Sequence, residues 1–238
     1  MTLPLTAEIL DTIEHTWPAA KQQTVRNWTI RDGQRGGKRV SAATSNIGDA
    51  YDVAAAEAAM EHLNQDQLFM IREGEVTLDN LLAKAGYRII DPVTLYACPI
   101  ETLTQKPVPP MTAFAIWPPL AIANELWAEG GIGTPRLAVM ERVNLPKSSI
   151  LARFNDRAAG SSFVAIHQRI AMIHAIEVTP TLRRNGVAIN IMRAAAHWAQ
   201  DNGARYFSLA VTDENIAANA LYSKLGMTVV GHYHYRIR

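Results

Sequence analysis

The chain has 238 residues, 48% hydrophobic and 19% charged, with 23 Lys+Arg against 22 Asp+Glu and a net charge of +1. That apolar content and charge balance exclude a disordered chain, and the missing basic excess argues against a nucleic-acid partner. At about 150 residues per domain, the length allows one large domain or two small ones.

No window approaches the roughly 18 uncharged apolar residues of a membrane span. Met1–Ala20 carries Glu8, Asp11 and Glu14 and lacks a basic start followed by an apolar stretch, so no signal peptide is expected. The single cysteine, Cys98, can form no intramolecular disulfide and joins no metal-ligand cluster; flanked by Ala97 and Pro99, it reads as buried and inert. A cytoplasmic protein is expected.

Along the chain, Trp28–Arg31 and Arg39–Ala43 read as short strands around the glycine-bearing turn Asp32–Lys38. That turn superficially resembles a phosphate loop, but Arg39 stands where Ser or Thr should follow the lysine, so a strand connection is the better reading. Alanine-rich Ala50–Leu63 reads as a helix, Gln67–Arg72 as a short apolar strand, Leu78–Ala85 as a helix stopped by Gly86, and Arg88–Tyr96 as a strand. Lys106-Pro107-Val108-Pro109-Pro110 is the sharpest break, since closely spaced prolines remove backbone donors and favour extended chain. The expected division is therefore residues 1–106, a linker over 107–111, and residues 112–238.

Beyond the linker, Leu120–Ala128 reads as a helix, Ile150–Asn155 as a strand and Asn155–Gly160 as a turn. Ser162–Gln168 and Ile170–Val178 follow as strands of a meander. Val187, Ile191, Ala194, Ala195 and Trp198 fall at helical spacing, which predicts an amphipathic helix over Val187–Asp201, ending near Gly203. Phe207, Leu209 and Val211 alternate with Tyr206, Ser208 and Ala210 as in a strand. Asn215–Leu225 reads as a helix stopped by Gly226, and Met227–Ile237 as a strand. His232 and His234 share a face of that strand, but with no third ligand no metal site is expected. Leu81–Tyr87 echoes Leu221–Met227, each a helix end, a glycine and a strand start, with Leu82 where the later copy has Tyr222. If the echo is a true repeat, the first half is a diverged copy of the second.

The chemistry concentrates in Ile176–Ala188. A strand, a short loop with Gly186 and a long helix point unpaired backbone N–H groups in one direction, with the helix dipole behind them. Such a junction binds anions, and Arg183 and Arg184 add positive charge that elsewhere would read as plain surface. Gly186 permits close approach to phosphates, and Ala188 keeps the first turn slim. No Lys-Ser or Lys-Thr follows the glycine, so this is not a P-loop and Mg²⁺-dependent phosphoryl transfer is not expected.

Arg183-x-x-Gly186-x-Ala188 resembles the pyrophosphate loop of the GNAT N-acetyltransferase superfamily, and Val178-x-Pro180 resembles the end of that family's fourth strand. Asn215, followed by Leu221-Tyr222-x-x-Leu225-Gly226, is similar to its second signature. The resemblance covers about Thr112–Arg238. With Tyr233-His234-Tyr235-Arg236 and Trp28-Thr29-Ile30-Arg31, the chain looks closest to a bacterial subgroup with a degenerate GNAT-like first half.

The resemblance implies an α/β fold with a mixed sheet, a GNAT fold in the C-terminal half and a diverged GNAT-like N-terminal half that packs against it and shapes the acceptor site. It implies acetyl-CoA as co-substrate and direct transfer to a primary amine of a small-molecule or peptide acceptor, with homodimerisation left open. The backbone of Ile176 and Val178 would pair with the pantetheine arm, the Val178 N–H would hold the oxyanion, and Arg184, Asn185, Gly186, Val187, Ala188 and Ile189 would wrap the pyrophosphate beside Arg183. Asn215 would hydrogen-bond the arm as well as, or instead of, capping a helix. Tyr222, which alone would read as a core residue, would protonate the leaving thiolate. Trp117-Pro118-Pro119 reads as packing, with the wall of an acceptor pocket as its other reading.

The base is less direct. On a regular strand Met172, His174 and Ile176 share one face, while Ile173, Ala175 and Glu177 share the other. A bulge, frequent beside active sites, would change that parity. His174 resembles a histidine base of arylalkylamine-type members and ranks ahead of Glu177, with a water-relayed base as the remaining case and a satisfied strand histidine as the bland one. A non-catalytic acyl-CoA sensor or scaffold, or an acyltransferase using a longer acyl-CoA, would keep the same loop.

Overall fold

The computed structural model describes residues 2–46 and 51–238. In chain order the elements are α1 (Thr6–Thr16), β1 (Lys21–Val25), β2 (Trp28–Asp32), β3 (Thr44–Ser45), α2 (Val53–His62), β4 (Leu68–Arg72), α3 (Val76–Lys84), β5 (Arg88–Pro99) and α4 (Glu101–Thr104). Then come β6 (Ala113–Ile116), α5 (Ala121–Glu129), α6 (Thr134–Arg142), β7 (Lys147–Phe154), β8 (Arg157–His167), β9 (Ile170–Val178), α7 (Val187–Asp201), β10 (Tyr206–Thr212), α8 (Ile216–Lys224) and β11 (Thr228–Ile237). The helix α7 and the strand β9 run between the expected residues. Ala50, where the helix Ala50–Leu63 was expected to begin, lies outside the described residues.

Eight strands form one mixed sheet in the order β4-β11-β5-β10-β9-β8-β7-β6, so the mixed α/β class read from the sequence is present. Strands from both sides of Pro107–Pro110 contribute to it. All neighbours are antiparallel except β9 and β10. A three-stranded sheet, β1-β2-β3, lies apart. On one face of the large sheet α7 buries Val187, Ile191, Met192, Ala195 and Ala199 against Ile150, Val164, Ile173 and Phe207. The opposite face is covered by α1, through Ile9 and Ile13, and by α5 and α6, through Trp127, Val139 and Met140.

The echo between Leu81–Tyr87 and Leu221–Met227 has a structural counterpart. β4-α3-β5 and β10-α8-β11 are two strand–helix–strand units that exchange strands. β11 pairs with both β4 and β5, and β5 with both β10 and β11. Both helices end the same way: Gly86 and Gly226 sit at φ 88° and 84°, and Tyr87 N–H and Met227 N–H reach back to the carbonyls of Leu82 and Tyr222 at 3.0 and 3.1 Å. Only glycine takes that left-handed position without strain. Arg236 of β11 fastens the exchange with a two-nitrogen grip on Asp79 of α3, 2.8 and 3.1 Å. Arg236, followed by burial acting the other way and by His234, holds the Asp79 carboxyl below its ordinary pKa.

Two expectations change. Arg39–Ala43 is not a strand: Lys38–Val40 form a 3-10 turn, and only Ala43 makes a single bridge, to Phe69. Val40, Ala42 and Ala43 are all fully buried, a pattern a half-exposed alternating strand does not give. The turn over Asn155–Gly160 shrinks to Asn155 and Asp156, both at positive φ (48° and 59°), and β8 starts at Arg157. Two residues of that conformation make the tightest hairpin. The helices α1, α4 and α6 and the strands β1, β3 and β6 had no sequence expectation. Among the described residues no helix is long and apolar enough to cross a membrane. Cys98 is buried, and burial pushes its thiol up to about 12, so it is inert as expected.

Candidate active site

β9 and β10 pair only from Ile170–Met172 with Tyr206–Ser208, after which the two parallel strands part. The opening is shaped by a bulge. Phe163 pairs with His174 and Ser161 with Glu177, so β9 carries one residue more than β8 over this step, and Ala175 sits at φ 51°. The fully buried Trp127 of α5 pins the bulge by donating its indole N–H to the Ala175 carbonyl at 2.8 Å. Side-chain parity changes there: Ile173 and Ile176 both face the α7 core, whereas Ala175 faces the α5 side. Glu177 is returned to the face of His174, and its carboxyl lies against the loop after α5. A Cβ on Gly130 would stand 2.4 Å from the Glu177 Cδ, which is why that position has no side chain.

Gly160 has a similar reason. A Cβ there would fall 2.5 Å from the Glu177 carbonyl and 3.1 Å from Ile191, so the glycine lets β8 and α7 close on the bulged strand. Thr179 N–H bonds back to Ala159 at 3.0 Å. Because backbone direction alternates along a strand, the peptide groups of Val178 and Ile176 point the other way, into the opening. One of them is in use: Arg183 Nε donates to the Val178 carbonyl at 3.1 Å, and its terminal nitrogen lies 3.4 Å from Glu177.

After a 3-10 turn at Pro180–Leu182, Arg184 at φ 67° and Gly186 at φ 78° turn the chain into α7, whose start has no side-chain cap. The first N–H groups of a helix have no intrahelical partner. They border a cleft of about 570 Å³ lined by Ile176, Glu177, Val178, Arg183, Arg184, Gly186, Val187, Ala188, Ile189, Asn215 and Tyr222. The cleft thus gathers every candidate except Asn185 and His174. Asn185 turns its amide back onto the carbonyls of Leu182 and Arg183, at 3.2 and 3.1 Å, and holds the loop shape instead. Asn215 Oδ1 caps α8 through Ala218 N–H at 3.1 Å, leaving its amide nitrogen for a ligand.

Tyr222 is 7% exposed, with its ring edge-on to Tyr96 at 5.9 Å. Burial, followed by the neighbouring Tyr96, pushes its phenol up to about 12, so it keeps its proton throughout the neutral range.

His174 is placed differently from the expectation that ranked it first as base. It lies outside the cleft, buried against Trp17 with ring centroids 4.9 Å apart. Thr16 gives its hydroxyl proton to the Thr12 carbonyl at 2.6 Å, so at 2.9 Å it can only accept from His174 Nε2–H. Nδ1 then accepts from Arg39 at 3.2 Å. The lone pair a base needs is occupied by a cation. Burial and the Arg39 charge hold the imidazole well below its ordinary pKa. Both facts weigh against His174 as the proton acceptor. The sequence reading missed Thr16, Trp17 and Arg39, although Thr12 and Thr16, like Ile9 and Ile13, stand at the i, i+4 spacing of one helix face.

This depressed pKa has a stability consequence. Below about pH 6.5 the unfolded chain protonates this histidine while the folded one does not, so stability is full above that pH and lost as pH falls. The expected loss is about 1.4 kcal/mol per pH unit between 6.5 and the folded pKa. Denaturation at pH 7 and 5.5 should show a steeper decline for the protein than for His174→Gln; parallel declines would contradict it.

The comparisons fit this geometry. Residues 121–227 match the model of the acetyltransferase (GNAT) family. Over those residues the chain resembles an acetyltransferase domain of the GNAT family. It is 22% identical over 233 residues to the uncharacterized N-acetyltransferase YobR of Bacillus subtilis, covering 94% of each chain. It is 27% identical to a mycothiol acetyltransferase of Corynebacterium glutamicum, over 79% of this chain and 65% of that protein. A GCN5-related N-acetyltransferase from Kribbella flavida superposes with a TM-score of 0.73 at 15% identity, over 99% of this chain and 96% of that one, so the likeness of fold extends through the N-terminal half.

Proposed function

We propose that the protein transfers the acetyl group of acetyl-CoA directly to a primary amine of a small-molecule or peptide acceptor. What carries this reading is the single cleft in which outward-pointing strand peptides, an uncapped helix start flanked by arginines, and a protonated phenol converge. Arg183, Arg184 and the N–H groups of Gly186–Ile189 hold the pyrophosphate. Ile176 and Val178 extend a backbone ladder to the pantetheine arm, for which Arg183 gives up the Val178 carbonyl, and Asn215 offers its free amide. The Val178 N–H polarises the thioester carbonyl and stabilises the oxyanion formed when the amine nitrogen attacks. As the intermediate collapses, the C–S bond breaks and Tyr222 gives its proton to the thiolate sulfur. Glu177, which lines the same cleft, takes the proton from the amine directly or through water. The lone, unpaired Cys98 fits a reducing, cytoplasmic setting.

The family co-substrate supplies the first test. Acetyl-CoA at 100 times its Kd should stabilise the fold by about 2.7 kcal/mol, a melting shift of roughly 5–10 °C for a chain this long. Arg184→Glu should weaken acetyl-CoA roughly tenfold, the scale of one charge-assisted hydrogen bond. No shift with the wild type, or equal affinity in the variant, would remove the coenzyme site. Tight binding without thiol release on a broad amine panel would identify a sensor instead, and preference for a longer acyl-CoA would identify a different donor.

A further inference from the structure

A second cavity, of about 460 Å³, opens beside the same split in the sheet. His174 and Ala175 border it from β9 and Thr212 from β10, the two strands that part beyond Met172 and Ser208. Four charged side chains face it. Lys38 and Asp91 pair with each other, which leaves the positive charges of Arg39 and Arg136 without a carboxylate among the described residues. Arg39 spends one terminal nitrogen on His174, while its Nε is buried with no hydrogen-bond partner. The hydroxyl of Tyr233, a residue 3% exposed, faces the Arg39 guanidinium and Tyr235 without completing a well-formed hydrogen bond to either. Arg136 is exposed and reaches in from α6, its Nε 3.5 Å from where a Cβ would stand on Gly37, two residues before Arg39. Buried donors without partners are rare in a finished core and call for a ligand.

We infer that this cavity holds the acceptor, and that the acceptor is a primary amine bearing a carboxylate, of amino-acid type. Arg39, Arg136 and the Tyr233 hydroxyl take the carboxylate, for which a planar guanidinium is the matching two-point donor, and the amine is directed to the split between β9 and β10. The inference builds on the acetyl-transfer reading above, and it gives the N-terminal half, the source of Arg39 and Trp17, a part in choosing the acceptor.

The test is calorimetry on the full chain with CoA present, using the twenty amino acids, their carboxamides and phosphoethanolamine. At least one amino acid should bind, with its carboxamide at least tenfold weaker. Arg136→Gln should erase most of that difference and leave acetyl-CoA affinity unchanged. Because Arg136 is exposed, this variant reads out even if substitution of the half-buried Arg39 unfolds the protein. Equal binding of acids and amides, no binding of any amino acid, or tighter binding of phosphoethanolamine than of every amino acid would overturn the inference. Carboxylate-dependent binding without thiol release from acetyl-CoA would refute transfer and keep the cavity assignment; turnover confined to amines without a carboxylate would do the reverse.

Discussion

Tyr222→Phe should lower kcat about 100-fold, the lower end of what a positioned general acid contributes, while the KM for acetyl-CoA stays within about twofold. The substitution removes one oxygen from a ring whose packing on Tyr96 is unchanged, so folding should be nearly untouched. Two properties suit this hydroxyl to the proposed role of proton source. It lines the coenzyme cleft, and burial lifts it to about 12, which keeps the acid form populated. The direction of that shift sets the pH profile. A raised phenol retains its proton through pH 10, so any fall in rate between pH 8 and 10 must come from another group and should persist in the Phe variant. A kcat within threefold of wild type would show that water, not Tyr222, protonates the thiolate.

Phe163→Ala should cost about 3–5 kcal/mol in denaturant-derived stability, the range for emptying an aromatic site in a core. For a chain of this length that is of order 10 °C in melting temperature. Phe163 is fully buried on β8, edge-on to Trp17 at 6.1 Å and to Trp117 at 5.7 Å, and it pairs across the sheet with His174 at the bulge. Three rings and the backbone of β9 lean on it, so collapse into the void is restricted and the transfer and cavity losses add. The contacts also place Trp117 in the packing role, with the Lys147 ammonium over its ring at 4.4 Å. Phe163→Leu should retain most of the stability, at a cost of about 1 kcal/mol. A loss under 1 kcal/mol for the alanine variant would mean that this part of the core repacks freely.

Elements whose pattern is complete within themselves were legible. Ile170–Val178 is a mostly apolar run that ends just before Thr179-Pro180, and Val187–Asp201 has helical spacing between Gly186 and Gly203; both appear with the expected ends. The Ile176–Ala188 loop was legible because a strand–glycine–helix junction creates an anion site by its own geometry, whereas Asn215 and Tyr222 stood out only through the family resemblance. What escaped depends on distant partners. Arg39–Ala43 reads as a strand after the glycine-bearing turn, but Val40, Ala42 and Ala43 are buried in three different clusters around a 3-10 turn. The state of His174 is decided by Thr16 and Arg39, 158 and 135 residues away along the chain. Local sequence shows a histidine on a strand and nothing of the cation on its lone pair. The bulge stood between these cases: its effect on Glu177 could be foreseen as a condition, but the residue that fixes it, Trp127, lies on another element.

The exchange of strands between the two β-α-β units bears on how the molecule is made. β4 and β5 emerge from the ribosome close together, yet they are not neighbours in the sheet, because β11 must come to lie between them. Until residues 228–237 are synthesised, both strands hold unmet edges, and the apolar side chains of Leu95 and Met70 wait for Tyr233 and Tyr235. Closing that gap over so long a stretch of chain is slow compared with local pairing. This end of the sheet therefore assembles late in biosynthesis, and the nascent polypeptide passes through a stage at which chaperone shielding of those edges serves it best.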